Sequence, residues 1–147
     1  MTRPPRSCRQ HGAAAVEFAI VAALFFTVLI GAMEMGRMLF YWNSAAEATR
    51  LGARLAVVCD LNACQIKTRM RTLLSILPDD KINISYQPAG CDVNTCDAVT
   101  VSIAPAVAVA TFIPYVPMAL TLPPFATTLP RESMLSTVKG EPNPVCM

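Results

Sequence analysis

A stretch of apolar and small residues near the N-terminus constrains the fold of this chain more than any other feature. It runs from Ala13 to Met33, counts 21 residues and contains one charged side chain, that of Glu17. At about 1.5 Å of rise per residue, a helix of this length spans roughly 30 Å, the thickness of the hydrocarbon core of a bilayer. The sequence therefore predicts a transmembrane helix.

The charges around this stretch predict its orientation. Arg3, Arg6 and Arg9 precede it, whereas no Asp or Glu does. Basic flanks tend to stay on the cytoplasmic side of a membrane, so the rest of the chain is expected outside. A cleaved secretory signal is the alternative, but Ile30 is a poor match to the small residue that such a cleavage site needs. We therefore divide the chain into a cytoplasmic leader (1–12), a transmembrane segment (13–33), an exported extension of the same helix (34–58) and a small exported domain (59–147).

The net charge of the part after the leader excludes one class of partner. Three of the twelve basic residues precede Gly12, so residues 13–147 carry nine Lys and Arg against ten Asp and Glu. This balance leaves no basic patch that would attract nucleic acid, and no nucleic-acid partner is expected.

The helical pattern continues beyond the predicted membrane edge, because no proline interrupts the chain before Val58. Glu47, Arg50 and Arg54 recur at helical spacing and predict a charged side. Small residues lie at helical spacing in the same part of the helix, at positions Ala45, Ala48, Gly52 and Ala56. Such a stripe lets another helix or a sheet approach closely, although a helix that is merely rich in alanine is the alternative.

Beyond Val58 the pattern changes, and the sequence predicts an α+β fold. A second helix is expected over residues 63–77, with Asp60 or Asn62 as N-cap and Pro78 ending it. Alternating apolar and polar residues then predict strands of a small antiparallel sheet. These strands are expected at residues 82–87, 99–103, 106–113, 120–122 and 125–129, the later ones being short edge strands because prolines separate them.

Five of the six cysteines lie on the exported side, where disulfides persist. A four-thiolate zinc site is the alternative, but the spacing is C-x4-C twice and the only histidine is His11. We predict that Cys91–Cys96 closes a hairpin loop. We also predict that Cys59–Cys64 clamps a corner between the two helices, which requires the long helix to break near Asp60. Cys146 is then left free or pairs with another chain.

The sequence contains no catalytic constellation. With no histidine after His11, a His-based nucleophile pair or metal cluster is not expected, so we expect no enzyme activity, no cofactor and no metal. Glu17 is the informative residue, since a carboxylate inside a membrane span costs about 2.5–3.5 kcal/mol on insertion scales and is a functional candidate. The alternative is that Glu17, close to the membrane edge, reaches the headgroups.

Gly12 is followed by four residues, then by Glu17 and Phe18 and then by an apolar run, and this pattern resembles the processing site of class III prepilins. The Arg-rich leader and the segment ATRLGAR, which ends at Arg54, resemble one branch of that family closely. That branch is the TadE-like minor pilins of tight-adherence (Flp) pilus systems.

The resemblance implies a pilin-like fold and a set of roles. A prepilin peptidase would cleave between Gly12 and Ala13, Glu17 and Phe18 would serve assembly and recognition, and Ala48, Gly52 and Arg54 would serve helix packing. The implied partners are the prepilin peptidase, other pilins or pseudopilins, the inner-membrane assembly platform and membrane lipid.

The implied function is that of a minor pilin or pseudopilin in the biogenesis of a Flp-type pilus. Its location would be the bacterial inner membrane, crossed once, with a cytoplasmic N-terminus and an exported C-terminal domain. A pseudopilin of a type II-like secretion machine shares the same N-terminal features. A membrane-anchored exported enzyme or thiol-redox protein is the third class.

Overall fold

The computed structural model describes residues 11–105, 107–111 and 119–147. Much of the predicted leader, including Arg3, Arg6, Cys8 and Arg9, lies outside the described residues. The fold is α+β, as predicted. Its elements are the helices α1 (His11–Val58) and α2 (Cys64–Leu73) and the strands β1 (Ile82–Gln87), β2 (Ala98–Ile103), β3 (Val107–Ala110), β4 (Ala119–Leu122), β5 (Phe125–Pro130), β6 (Thr137–Val138) and β7 (Glu141–Pro142), with single 3-10 turns at Asp79–Lys81 and Pro144–Cys146.

Helix α1 is one uninterrupted element of 48 residues. At 1.5 Å per residue it is about 70 Å long, more than twice the thickness of a bilayer core. By its length and composition it is able to cross a membrane. The predicted continuation of the helix to Val58 is confirmed.

Helix α2 is shorter than predicted, because the backbone of Leu74 leaves the helical region at φ −131° and ψ 83°. The predicted N-caps are wrong, since Ala63 precedes the helix and makes no side-chain cap. The Asp60 carboxylate instead accepts a hydrogen bond from the backbone N–H of Ser136. Asn62 adopts a positive φ of 58° and donates its backbone N–H to the Tyr86 hydroxyl at 2.8 Å.

The main sheet is antiparallel, in the order β1-β2-β5. Val101 lies opposite Ile84 on one side and Thr127 on the other. Alternation along β2 buries Val99, Val101 and Ile103. This face packs against α1. The strands predicted at residues 82–87, 99–103 and 125–129 are confirmed.

Strands β3 and β4 form a separate two-stranded ribbon, in which Val107 pairs with Leu122 and Ala110 with Ala119. The strand predicted at 106–113 is therefore confirmed for its central residues, whereas Ala106 and Ile113 lie outside the described part of the chain.

A hydrophobic core lies between the outer part of α1, helix α2 and the sheets. The helix α1 contributes small residues, and Ala45, Ala48 and Ala56 are completely buried. Helix α2 and the turn after it contribute larger side chains, including Ile66, Met70, Leu74 and Leu77. The stripe of small residues thus allows close packing, as the sequence predicted.

The disulfides differ in part from the prediction. Cys91 and Cys96 are joined across the hairpin loop. Cys59 is joined to Cys146 and not to Cys64, so the predicted Cys59–Cys64 pair is wrong. The C-terminal tail returns to the end of α1 and brings Cys146 within 5.5 Å of Cys59, measured between Cα atoms. Cys64 starts helix α2 with an exposed, free thiol.

Candidate functional site: the surfaces of the long helix

Gly52 lies where the small domain packs closely against α1. A Cβ atom at this position would lie 2.5 Å from Sδ of Met70 and 3.1 Å from Cγ1 of Val101. Both distances are shorter than ordinary van der Waals contact. Any larger residue would force the Met70 and Val101 side chains to shift where α1, α2 and β2 meet, which supports the predicted packing role of Gly52 beside the buried Ala48.

Thr49 attaches α1 to the edge strand of the sheet. Its side chain is 1% exposed, and its hydroxyl donates to the Ala46 carbonyl at 2.8 Å. The same Oγ1 lies 3.0 Å from Oγ1 of Thr127 on β5. This polar contact was not predicted. The sequence does place Thr49 one helical turn after Ala45, beside the stripe of small residues.

An ion pair marks where the domain begins to cover α1. The Arg37 guanidinium contacts the Glu34 carboxylate at 2.8 Å, and both side chains are largely buried. Arg37 also donates to the carbonyl oxygen of Ala110, the last residue of β3. Since Glu34 directly follows Met33, the domain starts at the predicted membrane edge. This pair was not predicted, although two opposite charges three residues apart follow the apolar run in the sequence.

Another side of α1 carries exposed charges. Glu47 and Arg50 lie 3.5 Å apart, and both side chains are more than half exposed. Arg54 is exposed as well. The predicted charged side is confirmed, whereas Arg54 takes no part in the packing of α1 on its own domain.

The tail of the chain closes the outer end of α1. The backbone N–H groups of Glu132 and Met134 donate to the Val57 carbonyl at 3.3 and 3.1 Å, and that of Leu135 donates to Val58 at 2.8 Å. The last carbonyls of a helix have no partner within it, so these bonds satisfy groups that would otherwise face a buried surface. The Cys59–Cys146 bridge adds a covalent link at the same end.

The inner end of α1 carries the residues assigned from the prepilin resemblance. Gly12, Ala13, Glu17 and Phe18 lie within the first three turns of the helix, and all four are exposed. Glu17 follows Ala13 by four residues, which places both on the same side of the helix. Among the described residues, neither an ion pair nor a hydrogen bond reaches the Glu17 carboxylate.

In the described part of the chain, two titrating groups have shifted pKa values, those of Tyr86 and Asp92. Burial raises the pKa of the Tyr86 hydroxyl, and the hydrogen bond from Asn62 partly opposes the rise. Hydrogen bonds from the Asn94 backbone and the Thr95 side chain lower the pKa of Asp92 inside the Cys91–Cys96 loop. Within the described ranges, no three His, Cys, Asp or Glu residues are placed to hold a metal ion.

Residues 12–54 match the model of the TadE-like protein family. The curated proteins and the solved structures gave no match. The matched segment starts at Gly12, contains Glu17 and ends at Arg54, so the resemblance seen in the sequence is confirmed. Over these residues the chain is similar to TadE-like proteins, and the apolar helix fits a single-pass membrane anchor.

Proposed function

We propose that this protein is a minor pilin or pseudopilin that takes part in assembling a Tad (Flp) pilus at the bacterial inner membrane. One observation carries the proposal. The family match covers a single helix whose first part is bare and apolar and whose last part is built into a small domain. This combination suits a subunit that is held in the membrane by one half of its helix and presents a folded domain outside.

The arrangement of the chain supports the proposed orientation, with residues 1–12 in the cytoplasm, residues 13–33 in the bilayer and residues 34–147 exported. The bridges Cys59–Cys146 and Cys91–Cys96 both lie in the exported part. Disulfides persist in the oxidising compartments outside the cytoplasm. The proposed partners are a prepilin peptidase, other pilins or pseudopilins and the assembly platform, besides membrane lipid.

Glu17 is the proposed recognition residue. After cleavage behind Gly12, Ala13 would carry a new α-amino group, which is positively charged near neutral pH. The Glu17 carboxylate would pair with the amino group of an adjacent subunit, and this pairing would offset much of the cost of holding a lone carboxylate in a bilayer. Phe18, which is exposed beside it, would contribute apolar contact to the same subunit interface.

The substitution Glu17→Gln tests this role, because it keeps the size of the side chain and removes its charge. We expect the variant to insert and to be processed, and its exported domain to resist protease as the wild type does. Pilus formation, or crosslinking to other pilins, should fall. Glu47→Gln is the matched control, since Glu47 is an exposed carboxylate on the exported half of the same helix. A protease-sensitive domain with unchanged piliation would make Glu17 a structural residue and contradict the proposal.

The cleavage site is tested separately by N-terminal sequencing of protein from a host that contains the cognate peptidase. The mature chain should begin AAAVEF, starting at Ala13. A chain that begins at Met1 or at Met33 under these conditions would reject the prepilin assignment.

A further inference from the structure

The ribbon of β3 and β4 ends close to the predicted membrane edge. Its pairing ends at Ala110 and Ala119, and the carbonyl oxygen of Ala110 accepts a hydrogen bond from the Arg37 guanidinium. Arg37 follows Met33 by four residues, a height of about 6 Å along α1. Its guanidinium also contacts the carboxylate of Glu34, one turn nearer the membrane edge. The headgroup layer adds about 5–8 Å to each side of the hydrocarbon core, so in the orientation proposed above this end of the ribbon lies at headgroup level.

The ribbon is directed toward the membrane. At its other end Val107 pairs with Leu122, and two prolines separate β4 from β5 of the main sheet. Strand β5 contacts α1 farther out, where Thr127 meets Thr49. Arg37 precedes Thr49 by twelve residues, which is about 18 Å along the helix. The chain therefore approaches the membrane along β3 and moves away from it along β4 and β5.

The residues around the turn of the ribbon have the composition of a surface that contacts lipid. From Ala98 to Pro130 the sequence contains no Asp, Glu, Lys or Arg. Residues 111–118, of which 112–118 lie outside the described residues, join the two strands with the sequence TFIPYVPM. Turns that face water are rich in Asn, Asp, Ser and Gly, and this segment contains none of them. Leu120, which follows it on β4, is 40% exposed.

The backbone of this segment limits how deeply it can enter the bilayer. Four residues of extended chain span about 13 Å, enough to reach the hydrocarbon surface from the level of Ala110. Non-helical backbone that faces lipid leaves N–H and C=O groups without partners, so it does not enter the hydrocarbon itself. Aromatic side chains such as those of Phe112 and Tyr115 are enriched at the boundary between headgroups and hydrocarbon. The composition and the backbone thus favour the same depth, the membrane surface.

We propose that the end of the β3–β4 ribbon rests on the outer surface of the membrane and contacts lipid at the level of the headgroups. The exported domain then touches the bilayer at two places, through α1 and through the ribbon. A second contact restricts how far the domain can tilt on its helix. The proposal rests on the membrane orientation given under Proposed function, and it does not depend on pilus assembly.

Quenching of tryptophan fluorescence by lipids with brominated acyl chains tests the contact, in vesicles that contain the purified full-length protein. Trp42 is the only tryptophan of the chain and is first replaced by phenylalanine. Leu120→Trp and Tyr115→Trp then each place a single probe near the end of the ribbon. Val138→Trp is the matched control, because Val138 is 48% exposed in β6 and lies near the outer end of α1. We expect brominated lipid to quench positions 115 and 120 several-fold more than position 138, with the strongest quenching at 115.

Acrylamide, which quenches from water, identifies the surroundings of a probe that brominated lipid does not reach. Quenching by acrylamide alone at positions 115 and 120 would place the ribbon in water. Quenching by neither agent would place it against protein, such as the exposed Met35 on α1. Either result would overturn the proposal.

Phe25→Trp separates this proposal from the membrane orientation on which it rests, because Phe25 lies within the predicted transmembrane segment. If brominated lipid does not quench this probe, the orientation fails and the ribbon contact fails with it. If it quenches this probe but not those at 115 and 120, only the ribbon contact is overturned. A failed piliation experiment with Glu17→Gln would leave the ribbon contact unaffected, since the vesicles contain no other pilus component.

Discussion

The two halves of α1 form one continuous helix but differ in the exposure of their apolar side chains. In residues 13–33, bulky side chains such as Phe18, Val28 and Met33 are between 70% and 79% exposed. In residues 34–58, alanines at positions 45, 48 and 53 are fully buried. The difference comes from which half of the helix the small domain covers and not from residue size alone, since Ala13 is exposed whereas Leu55 is buried.

In the membrane orientation proposed above, the physical cause is the solvent of each half. Lipid tails are as apolar as the side chains, so bulky residues gain little from being covered by protein. Outside the membrane, burial of apolar surface stabilises the fold, and small residues on α1 let the larger side chains of β2 and α2 approach its backbone. The comparison can be tested with substitutions that are matched between regions.

The largest loss of stability is expected from opening the disulfide at the outer end of α1. Cys146→Ser opens a bridge between residues 87 apart, whereas Cys91→Ser opens one between residues five apart. Chain-entropy treatment gives losses of about 4–5 kcal/mol and about 2 kcal/mol in the free energy of unfolding. Urea unfolding of the detergent-solubilised protein measures both, in a Cys64→Ser background that prevents a new pair with Cys59. Equal losses would show that the tail does not clamp the helix end.

A smaller effect is expected from glycine substitutions in the two halves. Gly52→Leu forces a side chain against Met70 and Val101, and overpacking of this kind costs about 1–3 kcal/mol. Gly31→Leu is the matched control in the membrane half, where a Cβ meets nothing within 4 Å. The midpoint of thermal unfolding of the exported domain should fall for the first variant only. A similar fall in both would contradict the distinction between the halves.

The smallest change in stability is expected from removing one threonine hydroxyl in each half of α1. Thr49→Val removes the contact with the Thr127 hydroxyl and should lower the free energy of unfolding by about 1 kcal/mol. The Thr27 hydroxyl donates to the Ala23 carbonyl of its own helix, so Thr27→Val should leave the domain unchanged. Urea midpoints of the two variants give the comparison, and an unchanged midpoint for Thr49→Val would show that the contact with β5 adds no stability.

The sequence by itself determined the elements that depend on local pattern. The absence of proline up to Val58 predicted the full length of α1, and the alternation around Val99 and Val101 predicted a strand with one buried face. The spacing of Ala48 and Gly52 predicted a packing surface. Helical and strand periods are set by neighbouring residues, so a short window of sequence contains the information.

Only the tertiary structure decided which distant segments meet. Nothing in the local sequence places Cys146 beside Cys59, Ala110 beside Arg37, or Thr127 beside Thr49, since each pair is separated by 73 residues or more. The expected Cys59–Cys64 bridge followed from nearness in sequence. The structure instead draws the tail back to the end of α1, where the carbonyls of Val57 and Val58 need partners and Glu132, Met134 and Leu135 supply them.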